Sequence, residues 1–205
     1  MLHETLKQAT KNNHDELEQL MFVNDIMSGT LSLPHYKQIL NTNYLVHKAF
    51  ENYLFDNLSA ETAEQLNIVN RRKLSALLAD MQAMQMAITL PVHDDELTFD
   101  KNDASLLGAL YVLEGATLGG SVIVKRLKTN PELSALNLDF NYYQVYGDQL
   151  IPYWKTFCAV LDQQSEDGYE AAINSAKKMF GYIATVQLQN NNQGSLVITP
   201  AALLQ

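Results

Sequence analysis

The sequence predicts an all-α fold in a single domain, and three observations carry that expectation. Apolar residues recur mainly at three- and four-residue spacings along the chain. Residues suited to capping stand at the starts of several of these stretches. A chain of 205 residues, 47% hydrophobic and 18% charged, can bury one sizeable core and is short for two domains.

In the first stretch Leu6, Ala9, Leu17, Leu20 and Met21 form an apolar stripe, with Lys, Asn, Asp and Glu between them. Ser28-Gly29-Thr30 breaks it. Ser32 then caps a helix with Pro34 in its first turn and a stripe of Tyr36, Ile39, Leu40, His47, Phe50 and Leu54. Ser59 starts a further helix through Leu66, and after a bend Arg71 to Ile88 is expected to be helical. Thr89 to Asp103, with Pro91 and a cluster of acids, reads as loop. Asp103 is expected to cap a long apolar helix reaching Lys128. Asn130 to Tyr146 is rich in turn formers, and helices follow near Gly147–Gln163 and Ser165–Gln189. Linkers, repeats and low-complexity tracts are absent from the sequence. The expected architecture is six to eight helices in one domain over residues 1–190, with a C-terminal tail over 191–205.

The net charge of −9 argues against non-specific binding to nucleic acid, which needs a basic face to replace counterions. The polar N-terminus lacks the apolar centre of a signal peptide, and no uninterrupted apolar run is read as long enough to cross a bilayer. Cys158 is the one cysteine, so an internal disulfide and a thiolate metal cluster are excluded. A soluble protein of a reducing cytoplasm, without a membrane partner, is the expectation.

Two constellations carry chemistry. In the first, His14 lies at the edge of the apolar stripe, where its ring can enter a pocket beside the helix while the helix still packs. Glu18 is one turn onward on the same side, placed to accept a hydrogen bond from the second imidazole nitrogen, which would orient and tune a metal-ligating ring. Lys7 is two turns before His14 on that face, about 10 Å along the axis. Each residue alone is common on a helix edge; the triplet gives the functional reading its weight.

The second is Gly108 to Gly120, with glycines at 108, 115, 119 and 120 inside an apolar helix. Each internal glycine costs about 1 kcal/mol relative to alanine, so four need a reason. Gly115 and Gly119 share a face, and Gly120 adds slack beside them. Missing side chains would let the backbone approach a flat ligand and permit a kink. Tight helix–helix packing is the alternative. A phosphate loop is disfavoured, because no Gly-Lys-Ser/Thr ending follows.

Together these segments resemble the heme oxygenase family. The pattern Leu6-Lys7-x-Ala9-Thr10-x-x-x-His14-x-x-x-Glu18 is similar to its proximal helix. Gly108-Ala109-Leu110-Tyr111-Val112-Leu113-Glu114-Gly115-Ala116-Thr117-Leu118-Gly119-Gly120 is similar to the distal helix of the bacterial, biliverdin-producing branch that often serves bacteriophytochromes. Arg71-Arg72 before Lys73-Leu74, and Tyr153-Trp154-Lys155-x-Phe157, are weaker echoes. The resemblance implies a heme sandwiched between a proximal and a kinked distal helix, with His14 on the iron and Gly115 and Gly119 on the oxygen side. It implies that heme is both cofactor and substrate, cleaved with O2 and reducing equivalents to biliverdin, carbon monoxide and ferrous iron. A neutral imidazole suits iron that cycles between oxidation states, and most of the hard chemistry belongs to the heme.

The residues this implies are His14 as metal ligand, Gly115, Gly119 and Thr117 as catalytic positions, and Lys7, Thr10, Glu18, Tyr111, Gly120, Lys155 and Phe180 as heme-binding positions. Lys7 leads for a propionate, followed by Tyr111 and Lys155; Phe180 would close the pocket edge. The implied partners are an electron donor such as a ferredoxin, a flavodoxin or a reductase, and a bacteriophytochrome receiving biliverdin. Ala116 departs from the animal-type members, which carry Asp there to organise water; Thr117 or Glu114 is the substitute to consider. Ser121 is a second departure.

His47 reads as a hydrogen-bonded core residue, His3, His35 and His93 as exposed, and Asp94-Asp95-Glu96 as solvated loop. The chain lacks the Glu-x-x-His repeat of a di-iron bundle. Lys125, Arg126 and Lys128 form a basic patch, suited to an acidic donor or simply to a helix C-terminus. Two other functions compete with heme cleavage: a non-catalytic heme-binding or heme-sequestering protein of the same fold, and a bundle for another flat apolar ligand.

Overall fold

The structure is a computed structural model describing residues 1–87 and 97–193, and the expectations for His93, for Asp94-Asp95-Glu96 and for the end of the C-terminal tail lie outside those residues. The described residues form helices and turns without a strand, as the apolar spacing requires. They contain ten α-helices rather than six to eight, because the long stretches break at identifiable residues.

The first stretch divides into α1 (Leu2–Ala9) and α2 (Lys11–Leu20) at Thr10, whose hydroxyl donates to the Leu6 carbonyl at 2.8 Å. A threonine bonded four residues back tends to bend a helix. Helix α3 (Val23–Ser28) begins after Phe22, at φ 56°, and ends at Gly29, at φ 75°, a left-handed conformation that glycine adopts without strain. Ser32 caps α4 (Leu33–Asp56) by accepting from the His35 amide, and Ser59 caps α5 (Ala60–Leu66) by accepting from Thr62.

Helix α6 (Leu74–Ala83) is shorter than the expected stretch from Arg71. Arg71 and Lys73 precede it and are fully buried. Helix α7 (Asp103–Gly115) is capped by Asn102, which accepts from the Ser105 amide at 2.9 Å, and not by Asp103. The Asp103 carboxylate instead accepts from the Ser59 amide and hydroxyl and from Thr62, tying α7 to α5. Helices α8 (Gly120–Lys128), α9 (Leu150–Leu161) and α10 (Tyr169–Gln193) complete the fold, with short helical turns between α8 and α9.

By length and composition Asp103–Lys128 could cross a membrane, contrary to the expectation that no run is long enough. Most of that segment is buried inside the fold, which accounts for its apolar composition.

Helix α10 is the centre of the packing and touches α7, α4, α2 and α1. The α7–α10 contact depends on Gly108: a Cβ there would stand 2.1 Å from the Ala172 carbonyl oxygen. Gly108→Ala is therefore expected to cost about 1–3 kcal/mol, read as a lower midpoint in thermal or urea unfolding. An unchanged midpoint would contradict this packing.

His47 is 1% exposed and bonds Glu51 through Nδ1 at 2.8 Å, the core histidine expected. Burial lowers its pKa below the ordinary 6.5, although Glu51 opposes the shift. The unfolded chain takes up this proton first, so the associated stability is complete above pH 6.5 and is lost as pH falls toward the folded value. His47→Gln should flatten that part of a Tm-against-pH curve; an unaltered slope would exclude His47 as its source.

Candidate functional site

Helix α2 has no fully buried residue, although it packs against α10 and α3. His14 is exposed and lies edge-on to Phe180 of α10, with ring centroids 6.3 Å apart. Its Nε2 is 3.8 Å from a Glu18 carboxylate oxygen and its Nδ1 is 3.8 Å from Asp15. These spacings are longer than hydrogen bonds. Two carboxylates thus flank one imidazole, and either can orient the ring while the other nitrogen serves as ligand. Glu18 was legible one turn along; Asp15, adjacent in sequence, was not singled out. Lys7 is exposed on α1, and Thr10 is buried with its hydroxyl occupied by the Leu6 carbonyl.

Helix α7 is buried almost throughout, from Ala104 to Glu114, with Tyr111 the half-buried exception. Beyond it lies a more open face. Tyr111, Gly115 and Leu118 are half-buried, Gly119 is exposed, and Val122 is 51% exposed. Between α7 and α8 the four-residue hydrogen bonds give way to three-residue ones, from Leu118 N to Gly115 O at 3.0 Å and Gly120 N to Thr117 O at 2.8 Å. This tightening marks the expected kink.

The four glycines separate into two kinds. A Cβ on Gly108 or Gly120 would strike backbone, the Gly120 one at 2.2 Å from the Tyr143 carbonyl oxygen. A Cβ on Gly115 would approach only Trp154, at 3.9 Å, and one on Gly119 only the Ile123 side chain, at 3.4 Å. Helix packing thus explains Gly108 and Gly120 and leaves Gly115 and Gly119 unexplained. Gly120 is buried against Tyr143 and does not lie on the open face. Gly120→Ala is expected to lower Tm, whereas Gly115→Ala should leave Tm nearly unchanged; equal losses would contradict the distinction.

Thr117 is buried as well. It is 1% exposed, and its hydroxyl donates to the Glu114 carbonyl at 3.0 Å, so it is held inside the turn. Glu114 is no closer to a water-organising role. Its carboxylate accepts from Arg71 Nη1 at 2.7 Å, from Lys73 Nζ, and from the Tyr146 hydroxyl at 2.8 and 2.9 Å. Burial alone would raise its pKa, but Lys73 and Arg71, with hydrogen bonds from Lys73 and Tyr146, hold it below the ordinary value. This buried cluster was not read from the sequence, although an acid at the end of an apolar helix was a visible signal.

Tyr111 lies beside Trp154, with ring centroids 5.8 Å apart, and its hydroxyl pKa is raised by burial and by the nearby Cys158 and Glu4. Lys155 is exposed on α9. Phe180 is buried under His14, and the neighbouring Gly181, not singled out from the sequence, has open space where a Cβ would stand. His3 and His35 are half-buried rather than exposed. His3 bonds Asp162 through Nδ1 at 2.6 Å, and His35 stacks on Phe22 at 4.0 Å.

The two candidate surfaces share neighbours. Helix α2 rests on α10 and α3, α7 rests on α10, and α8 rests on α3. One side offers an exposed imidazole; the other offers backbone, small residues and apolar side chains. That combination suits a flat apolar metal complex. The described residues of the glycine face carry no histidine, cysteine or carboxylate exposed on it, so the exposed imidazole of His14 stands on the α2 side alone.

Comparison with known proteins agrees with that reading. The family model described as heme oxygenase matches residues 1–188. A heme oxygenase from Xanthomonas campestris pv. campestris (strain 8004) is 29% identical over 160 residues, covering 77% of this chain and 91% of that protein. A solved structure, the NO- and CO-bound heme oxygenase from Neisseria meningitidis, aligns with a TM-score of 0.67 at 19% identity, covering 94% of this chain and 92% of that one. At that identity the likeness speaks for the fold.

Proposed function

Because this chain belongs to the heme oxygenase family, we propose that it holds heme between α2 and the α7–α8 kink and cleaves it to biliverdin, carbon monoxide and ferrous iron. The observation that carries the placement is the contrast among the glycines: Gly115 and Gly119 alone of the four face no backbone, and they lie on a half-open apolar face with Tyr111 and Val122. The other support is α2, a packed helix without a fully buried residue, whose single histidine is exposed.

In this reading His14 would hold the heme iron through an imidazole nitrogen, with Asp15 or Glu18 orienting the ring and raising its donor strength. Bound heme supplies the redox and oxygen chemistry, with electrons from an external donor such as a ferredoxin, a flavodoxin or a reductase. Phe180 bounds the site behind His14. Tyr111 and Trp154 line its far edge, where burial keeps the Tyr111 hydroxyl protonated and able to donate. Lys7 and Lys155 are the cations available to the propionates. Gly115 and Gly119 let the backbone approach the ring and exclude bulk water without an acidic side chain aimed at the iron. Ala116 is exposed and Thr117 and Glu114 are committed elsewhere, so main-chain groups rather than an acidic side chain would hold the water that delivers protons to this face. Residues 1–190 form the catalytic unit, and the cytoplasm supplies the reductant. A bacteriophytochrome is the proposed acceptor of the biliverdin, as in the bacterial branch.

The test is direct. Protein loaded with hemin and given a reductant under air should lose its Soret band while a biliverdin band grows. A Soret band that survives repeated reduction would favour heme sequestration instead.

A further inference from the structure

Glu114 is buried immediately before the first open glycine, and its two halves do different work. Its main-chain carbonyl accepts from the Thr117 amide at 3.4 Å and from the Thr117 hydroxyl at 3.0 Å, closing the turn that carries Gly115. Its carboxylate is fixed by Arg71, Lys73 and Tyr146. Arg71 extends the connection in two directions, donating from Nε to the Leu66 carbonyl at 2.6 Å and from Nη2 to the Tyr153 carbonyl at 3.0 Å. The guanidinium also lies 4.9 Å from the Tyr153 ring. The next residue, Trp154, is the group nearest the missing Cβ of Gly115. One ionic cluster therefore ties down both the glycine backbone and the aromatic residue beside it.

A buried ion pair is a weak source of net stability, because desolvation offsets most of the attraction. What such a cluster does provide is one geometry, since charged hydrogen bonds are short and directional. Arg71 and Lys73 are 0% and 1% exposed and Glu114 is 2% exposed, so bulk solvent does not compete for those directions. At the other end of α7, Asp103 anchors the same helix to α5 through Ser59 and Thr62, in a partly exposed setting remote from the kink.

We propose that Glu114, held by Arg71, Lys73 and Tyr146, is a positioning residue that sets how closely the Gly115 backbone and Trp154 approach the ligand on the oxygen side. It touches no substrate and acts through the main chain of the kink. The inference rests on the proposed heme placement. Displacing the anchor changes the space and polarity above the iron before it changes whether heme binds.

The test compares Glu114→Gln and Tyr146→Phe with Asp103→Asn, which loosens the far end of α7. Each variant is loaded with heme, reduced and exposed to carbon monoxide. Three quantities are read: Tm, and the frequency and the width of the carbon–oxygen stretch of bound CO. Asp103→Asn should lower Tm and leave the stretch at the wild-type position. Tyr146→Phe should shift or broaden the stretch at a comparable Tm loss, and Glu114→Gln should do so more strongly. If Glu114→Gln fails to fold, Tyr146→Phe alone decides. A wild-type stretch in the folded Glu114 and Tyr146 variants would overturn the proposal and reduce the cluster to a stabilising one. Failure of the wild-type protein to bind heme would instead refute the underlying placement.

Discussion

Replacing His14 with alanine is expected to abolish axial ligation and reduce heme cleavage to background while leaving the fold intact. His14 is exposed and its side chain makes only long-range ion-pair and ring-edge contacts, so its removal costs little stability. The effect on the ligand is of another order. Losing an outer partner such as Glu18 typically costs about 10–100-fold in metal affinity or activity, and losing the ligand itself should exceed that. His14→Ala loaded with hemin should show a displaced Soret band and no biliverdin under reductant and air, and added imidazole should restore the ligated spectrum. Asp15→Ala and Glu18→Ala should each retain ligation with weaker binding. A wild-type spectrum in His14→Ala would place the iron ligand elsewhere.

The second large effect concerns stability. Glu114→Ala would leave the buried cations of Arg71 and Lys73 facing each other without their shared carboxylate. Breaking a buried ion pair from one side typically costs about 3–5 kcal/mol, a large part of a domain's total stability. A domain of this size should lose roughly 10 °C of Tm. Lowering pH acts on the same bond. The Glu114 pKa is held below its ordinary 4.5, so its stabilisation is present above that value and is lost as pH falls through the folded pKa. Differential scanning calorimetry across acidic pH should show a smaller pH dependence in Glu114→Ala. A variant as stable as the wild type would mean that the two cations find other partners.

Much of the fold was legible because helices advertise themselves locally. Ser32 with Pro34, and Ser59, marked two helix starts correctly, since a cap uses only residues within one turn. Asn102 and Asp103 are both good caps by residue type, and only the tertiary contact of Asp103 with Ser59 and Thr62 separates them. The break at Thr10 was not foreseen, because a threonine inside an apolar stripe shows no sign of the carbonyl it will bind.

The candidate site was half legible. His14 and its flanking acid lie within one helix, so sequence spacing sufficed. The glycine run signalled that something approaches α7, but spacing could not say which glycines meet a neighbouring helix and which meet open space. That division depends on Ala172 and Tyr143, residues far along the chain. The cluster of Arg71, Lys73, Glu114 and Tyr146 joins three distant segments, and its pairing exists only in three dimensions.

The central claim is that the ring held between His14 and the Gly115–Gly119 face is opened by oxygen. The most direct measurement is a product balance over one turnover, with hemin-loaded protein, reductant and air, biliverdin read by its absorption and carbon monoxide captured by deoxymyoglobin. The expected result is biliverdin and carbon monoxide in equal amounts, matching the heme consumed. Heme that persists, or that bleaches without releasing carbon monoxide, would contradict it.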